Sequence, residues 1–126
     1  MLVSTKGRYA LRVMVDLAEH QAAGRIPLKE IAARQGISEK YLENILATLV
    51  RANMLSGMRG KGGGYMMAKD PAEVRAGDIL RAVEGSTAPV ACDGIDNSCT
   101  RSDLCSTVKF WRGLDEVIEK YVDGVT

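Results

Sequence analysis

The sequence predicts a mainly α-helical fold carrying one small β-hairpin, and three observations predict it. Apolar residues recur at helical spacing in five stretches, 5–20, 28–35, 39–53, 76–84 and 106–121. Two of these, 28–35 and 39–53, are separated only by Gly36, Ile37 and Ser38, the tight glycine-containing junction of a helix-turn-helix. Directly afterwards, two short runs at 55–59 and 65–68 flank "GKGGG", the tip of a hairpin. A helix-turn-helix followed by a two-stranded hairpin is a winged helix-turn-helix, here with a long C-terminal helix appended.

Each element has a local reason. Ser4 or Thr5 is available to cap the first helix, and Ala10, Met14, Leu17 and Ala18 form its apolar face. Gly24 and Pro27 interrupt the chain, and Leu28, Ile31 and Ala32 give the second helix one apolar side. Gly36 stands where a helix ends in a left-handed residue. Ser38 caps the third helix, whose inner face is Leu42, Ile45, Leu46 and Leu49. Its outer face carries Lys40, Glu43, Asn44, Ala47 and Arg51. Gly85 stops the fourth helix. In the last, Trp111, Leu114, Val117, Ile118, Tyr121 and Val122 form a stripe that needs a partner. It either folds back on the rest of the chain or pairs with a second copy. The long loop before it and the charges on its other side favour a dimer interface formed by Trp111, Leu114, Val117, Ile118 and Tyr121.

The organisation expected is a DNA-binding unit over 1–85, a cysteine-containing sensing loop over 86–105, and a dimerisation helix and tail over 106–126. In a helix-turn-helix, side chains near the start of the second helix read base edges in the major groove. Lys40, Glu43 and Asn44 occupy those positions: Glu accepts from cytosine, Asn pairs with adenine, and Lys reaches guanine or phosphate. Arg59, on a glycine-flanked tip, suits a narrow minor groove. Ser4, Thr5, Lys6, Arg8, Tyr9, Tyr41 and Lys61 are the candidate phosphate contacts. The glycine-rich tip is no phosphate-binding loop, because G-x-x-x-x-G-K-[ST] is absent and no helix follows directly.

All three cysteines, Cys92, Cys99 and Cys105, fall in one stretch with the spacing C-x6-C-x5-C. Thiolates favour iron–sulfur clusters, zinc or copper(I). Zinc and ferredoxin-type sites use tighter pairs such as C-x2-C, so the spacing alone selects no metal. Buried or redox-sensitive thiols without a metal fit the same residues.

Composition narrows the class. At 46% hydrophobic and 26% charged, the chain is too apolar for a disordered protein. No apolar run approaches the roughly 20 residues that span a bilayer, and the first residues lack a signal-peptide pattern, so a cytoplasmic protein with no membrane partner is expected. Residues 1–85 carry 13 Lys and Arg against 9 Asp and Glu, while 86–126 carry 4 against 7. A basic front and an acidic rear fit one face turned to a polyanion. No nucleophile–base pair, carboxylate dyad or cofactor fingerprint occurs, which argues against an enzyme and against a small-molecule substrate.

The stretches "STKGRYAL", "IAARQGISEKYLENILATLVRANML", "RGKGGGY" and "GDILRAVEG", with the three cysteines before "FW", resemble the IscR-type family of winged-helix transcription regulators, which also includes NsrR and CymR. The resemblance runs from about residue 3 to residue 123. It implies a homodimer that binds a pseudo-palindromic DNA operator, with Glu43 and its neighbours on bases and Arg59 in the minor groove. It also implies an iron–sulfur cluster on Cys92, Cys99 and Cys105, 2Fe–2S by preference and 4Fe–4S as the alternative. The family's best-known members place a histidine ligand three residues after the last cysteine, and here that position is Val108. The nitric-oxide-sensing members use an aspartate where this chain has Arg8. The fourth ligand is therefore open among Asp93, Asp96, Ser102, Asp103, Thr107, His20, solvent or a small thiol. Residues 90–107 are the expected switching element, biased by cluster binding. Two other readings stand beside this one. One is a regulator whose thiols are oxidised directly; the other is a metal or cluster carrier whose winged helix binds protein.

Overall fold

The computed structural model describes residues 3–90 and 106–126. Among the described residues there are five α-helices: α1 (Thr5–Glu19), α2 (Leu28–Gln35), α3 (Glu39–Arg51), α4 (Ala76–Glu84) and α5 (Val108–Asp123). An antiparallel hairpin, β1 (Leu55–Met58) and β2 (Gly64–Met67), lies between α3 and α4, with Leu55 opposite Met67 and Met58 opposite Gly64. The fold is mainly α with a small hairpin. Each strand ends one residue short of its expected C-terminal limit, and β2 begins one residue early, at Gly64.

One core holds the helix-turn-helix together. Leu42, Ile45, Leu46 and Leu49 of α3 are fully buried against Ala10, Val13, Met14 and Leu17 of α1 and Ile31 of α2. Val13, rather than the expected Ala18, completes the α1 stripe, because α1 packs at once against α2, α3, α4 and β2. Gly36 ends α2 at φ 65°, ψ 36°, where a side chain would crowd the following carbonyl, and this lets the chain turn sharply into α3.

The hairpin is tied to the body by a segment that shows no strand periodicity. Ile26 and Tyr65 exchange both backbone hydrogen bonds, each 2.9 Å. Next to it, the Arg25 guanidinium donates to the Ser56 carbonyl at 3.2 Å, the Ser56 hydroxyl at 3.2 Å and the Gly64 carbonyl at 3.4 Å.

The last helix does fold back, at its C-terminal end. Asp123 pairs with Arg81 and, at 3.8 Å, with Arg75 of the α4 N-cap, while the Ala76 amide donates to the Val125 carbonyl at 2.8 Å. Gly77 leaves room on α4 for Val122 and Asp123 to approach.

Candidate nucleic-acid interface

The polar face of α3 is turned outward by what its other face buries. With four leucine and isoleucine side chains sealed in the core, Lys40, Glu43 and Asn44 are left on the exposed side of the first two turns. The Ser38 hydroxyl fixes the start of the helix, accepting from the Tyr41 amide at 3.2 Å. Ser38→Ala removes that cap and is expected to lower stability by about 1 kcal/mol in a urea titration.

On one flank of α3 lies the start of α1. The Lys6 ammonium donates to the Thr48 hydroxyl at 3.2 Å, and Tyr9 meets Tyr41 edge-on with ring centroids 6.0 Å apart. Arg12 stacks over the Tyr9 ring at 5.1 Å and donates to the Gln35 side chain and carbonyl. Thr5 and Arg8 are exposed and bonded to each other at 3.2 Å. Ser4 is committed elsewhere. Its hydroxyl accepts from the Gly7 amide and donates to Glu84 at 2.5 Å, and its amide donates to the same Glu84 oxygen at 3.0 Å. Both Ser4 donors are thus used inside the chain.

On the other flank stands the hairpin. Arg59 and Lys61 are exposed on its tip. A cleft of about 300 Å³ separates it from α3, with Ala47 and Arg51 on one wall and Met58 and Arg59 on the other. The structure therefore brings Lys6, Tyr9, Tyr41, Lys40, Glu43, Asn44 and Arg59 onto α3 and the two elements flanking it.

Residues without a motif hold this surface in place. Asp16 is 4% exposed in the body of α1, and its carboxylate accepts from Arg34 at 2.7 and 3.0 Å and from the Gln35 amide at 2.7 Å. The bonded Arg34 guanidinium holds the Asp16 carboxyl below the usual carboxylate range, outweighing the opposite push of burial, with Gln35 and His20 helping. Arg34 and Gln35 end α2, so this pair anchors the turn that presents α3. Arg25 does the same for the hairpin. Nothing in the periodicity of the sequence marks these contacts, because each joins residues distant along the chain.

Of the expected dimer residues, Val117 and Tyr121 are 65% and 72% exposed, while Trp111, Leu114 and Ile118 are half-buried. Phe110, 65% exposed, packs edge-on against Trp111 at 4.9 Å. A shallow apolar groove of about 430 Å³ runs along Val117, Tyr121, Gly124 and Val125.

Cys92, Cys99 and Cys105 lie outside the described residues, as do Asp93, Asp96, Ser102 and Asp103. Among the described residues no group of His, Cys, Asp and Glu is arranged to hold a metal. Val108 opens α5 and offers no donor atom. His20 sits at the C-terminal end of α1, with Nδ1 2.7 Å from the Asp16 carbonyl. Three thiolates form a donor set chemically suited to an iron–sulfur cluster, and they are one ligand short of a fully protein-ligated site.

A helix-turn-helix with its second helix turned outward, flanked by a glycine-tipped hairpin, defines a winged-helix DNA-binding protein. The Rrf2 family model, described as an iron-dependent transcriptional regulator, matches residues 3–126, and the chain belongs to that family. It is 38% identical, over its full length and 76% of the relative's, to the HTH-type transcriptional regulator IscR of Serratia proteamaculans. Among solved structures it is similar to CymR, the global cysteine regulator of B. subtilis, with a TM-score of 0.81 and 32% identity over the whole chain and 92% of that protein. IscR of T. potens gives a TM-score of 0.79 and 38% identity over the whole chain and 82% of that protein. The chain is a DNA-binding transcriptional regulator of the IscR type and not an enzyme. No helix among the described residues is long and apolar enough to cross a membrane.

Proposed function

We propose that this regulator acts in the cytoplasm as a homodimer on a pseudo-palindromic operator and senses iron–sulfur or redox status through Cys92, Cys99 and Cys105. Residues 1–85 bind DNA, 86–105 sense, and 106–126 join the protomers. The observation that carries the reading is the exposed row Lys40, Glu43 and Asn44, set between the basic start of α1 and the Arg59 tip. In this arrangement α3 reads bases in the major groove, and Arg59 enters the minor groove beside it. Thr5, Lys6, Arg8, Tyr9, Tyr41 and Lys61 meet phosphates and fix the register. Ser4 supports them by capping α1. The exposed Val117 and Tyr121 are available for burial against a second copy of α5.

With an iron–sulfur cluster bound, the three thiolates are joined through a group that iron scarcity and oxidants remove. Cys92, Cys99 and Cys105 then hold or release the segment 90–107, which connects the DNA-binding unit to α5. Val108 supports a second reading, in which the thiols are oxidised directly without metal, because it supplies no fourth ligand.

Anaerobic purification, with iron, sulfide and visible absorbance measured on one sample, separates the two. The expected parent is coloured, holds iron and sulfide, and shifts duplexes selected from a random pool in an oxidant-dependent way. Cys92→Ala is expected to lose the colour and the oxidant response. A colourless parent with oxidant-dependent affinity establishes the second reading. A Cys92→Ala protein that binds iron and responds to oxidants like the parent rejects the sensing role of the loop.

A further inference from the structure

Lys6 of α1 and Arg51 of α3 converge on a single hydroxyl. The Lys6 ammonium donates to Thr48 Oγ1 at 3.2 Å and the Arg51 guanidinium donates to the same atom at 3.3 Å. Two nitrogens bonded to one atom at these distances lie no more than about 6.5 Å apart. The hydroxyl's own proton goes to the Asn44 carbonyl at 3.2 Å, so both of its lone pairs serve the two cations. No carboxylate among the described residues forms an ion pair with either cation, although Asp16, Asp78 and Asp123 each pair with an arginine elsewhere. Two like charges held this close repel each other, and an anion between them reverses the sign of the interaction. Lysine brings three N–H donors and arginine five, so most of both sets remain available after the bond to Thr48.

The position of the pair identifies the anion. Thr48 lies one turn beyond Asn44 on α3, reached by Lys6 from the α1 flank and by Arg51, which also lines the cleft toward the hairpin. The geometry points to a phosphate clamp: Lys6 and Arg51, steadied by Thr48, grip one and the same backbone phosphate of the DNA beside α3. This rests on the DNA-binding reading above and adds to it Arg51, Thr48 and the sharing of a single phosphate. Because the Thr48 hydroxyl bonds to the backbone of Asn44, the clamp also fixes the rotation of α3 about its axis relative to the strand it grips.

The test measures log Kobs against log salt for a mixed-sequence duplex of about 30 base pairs, roughly three helical turns. It compares the parent, Lys6→Ala, Arg51→Ala and the double variant, each checked for native helicity by circular dichroism. Each neutralised phosphate contributes about 0.9 to the slope. The double variant is expected to lose about 0.9 per protomer, with the two single losses in log Kobs summing to more than the loss in the double. A loss near twice that value, with additive singles, means two separate phosphates and overturns the clamp. An unchanged slope in all three variants of a DNA-binding parent also overturns the clamp while leaving the DNA-binding reading standing. A parent whose binding shows no salt dependence overturns that reading and the clamp with it.

Discussion

Asp16→Leu is expected to lower the unfolding free energy by about 2–3 kcal/mol and to weaken DNA binding without touching any residue on the DNA-facing surface. The magnitude follows from its surroundings. Asp16 is buried and holds two charge-assisted bonds from Arg34 and one from Gln35. Breaking a fully buried pair costs about 3–5 kcal/mol, but the Arg34 side chain is 32% exposed and regains water once freed, which lowers the figure. The functional effect follows from location, because Arg34 and Gln35 lie immediately before the Gly36 turn that aims α3. The same pair gives stability a pH dependence. The Asp16 carboxyl titrates lower in the folded protein than in the unfolded chain. Its contribution is therefore complete above the unfolded value of about 3.9 and is lost as pH falls through the folded value. Urea titrations at neutral pH and below about pH 4 are expected to show a steep acid limb in the parent and a flattened one in Asp16→Asn.

Gly64→Ala is the second large effect, expected to cost about 3 kcal/mol or more. Gly64 opens β2 at φ 138°, a backbone conformation almost closed to residues with a side chain. A methyl group there meets the Ile26 carbonyl and the Pro27 nitrogen, backbone atoms that cannot rotate away. Relief requires the hairpin to separate from residues 25–27, which breaks the paired bonds between Ile26 and Tyr65 and the Arg25 bonds to Ser56 and Gly64. Amide hydrogen exchange is expected to show Ile26 and Tyr65 losing protection while Leu46 and Leu49 in the core keep theirs. Unchanged protection at Tyr65 would refute this account of the hairpin's attachment.

The helices were legible because burying one face imposes a period of 3.6 residues on the sequence. For α3 that period located the four buried positions and therefore the outward face carrying Lys40, Glu43 and Asn44. The hairpin was legible from glycine, since its tip and the first residue of β2 take backbone angles that other residues avoid. Long-range polar contacts left no such trace. Asp16 and Arg34, Arg25 and Ser56, Ser4 and Glu84 are each brought together by the tertiary fold, and no spacing rule connects them. Ser4 shows the limit clearly: a serine at the start of a basic helix reads as a phosphate contact, yet its hydroxyl and amide bind a carboxylate 80 residues away. For α5 the apolar stripe indicated that a partner was needed. The fold-back onto α4 depends on Asp123, a charged residue outside that stripe.

That attachment makes α5 a measuring arm. In the proposed dimer the two DNA-binding units are joined through their α5 helices, so the angle between α4 and α5 sets the distance between the two copies of α3. Asp123, gripping Arg81 and Arg75, and the Ala76–Val125 bond hold that angle. A helix of 16 residues is about 24 Å long, so a tilt of about 10° moves its far end by about 4 Å, more than the 3.4 Å rise of one base pair. In that dimer, operator spacing would be set by the ion pairs of Asp123 with Arg75 and Arg81, which involve none of the residues proposed to touch DNA.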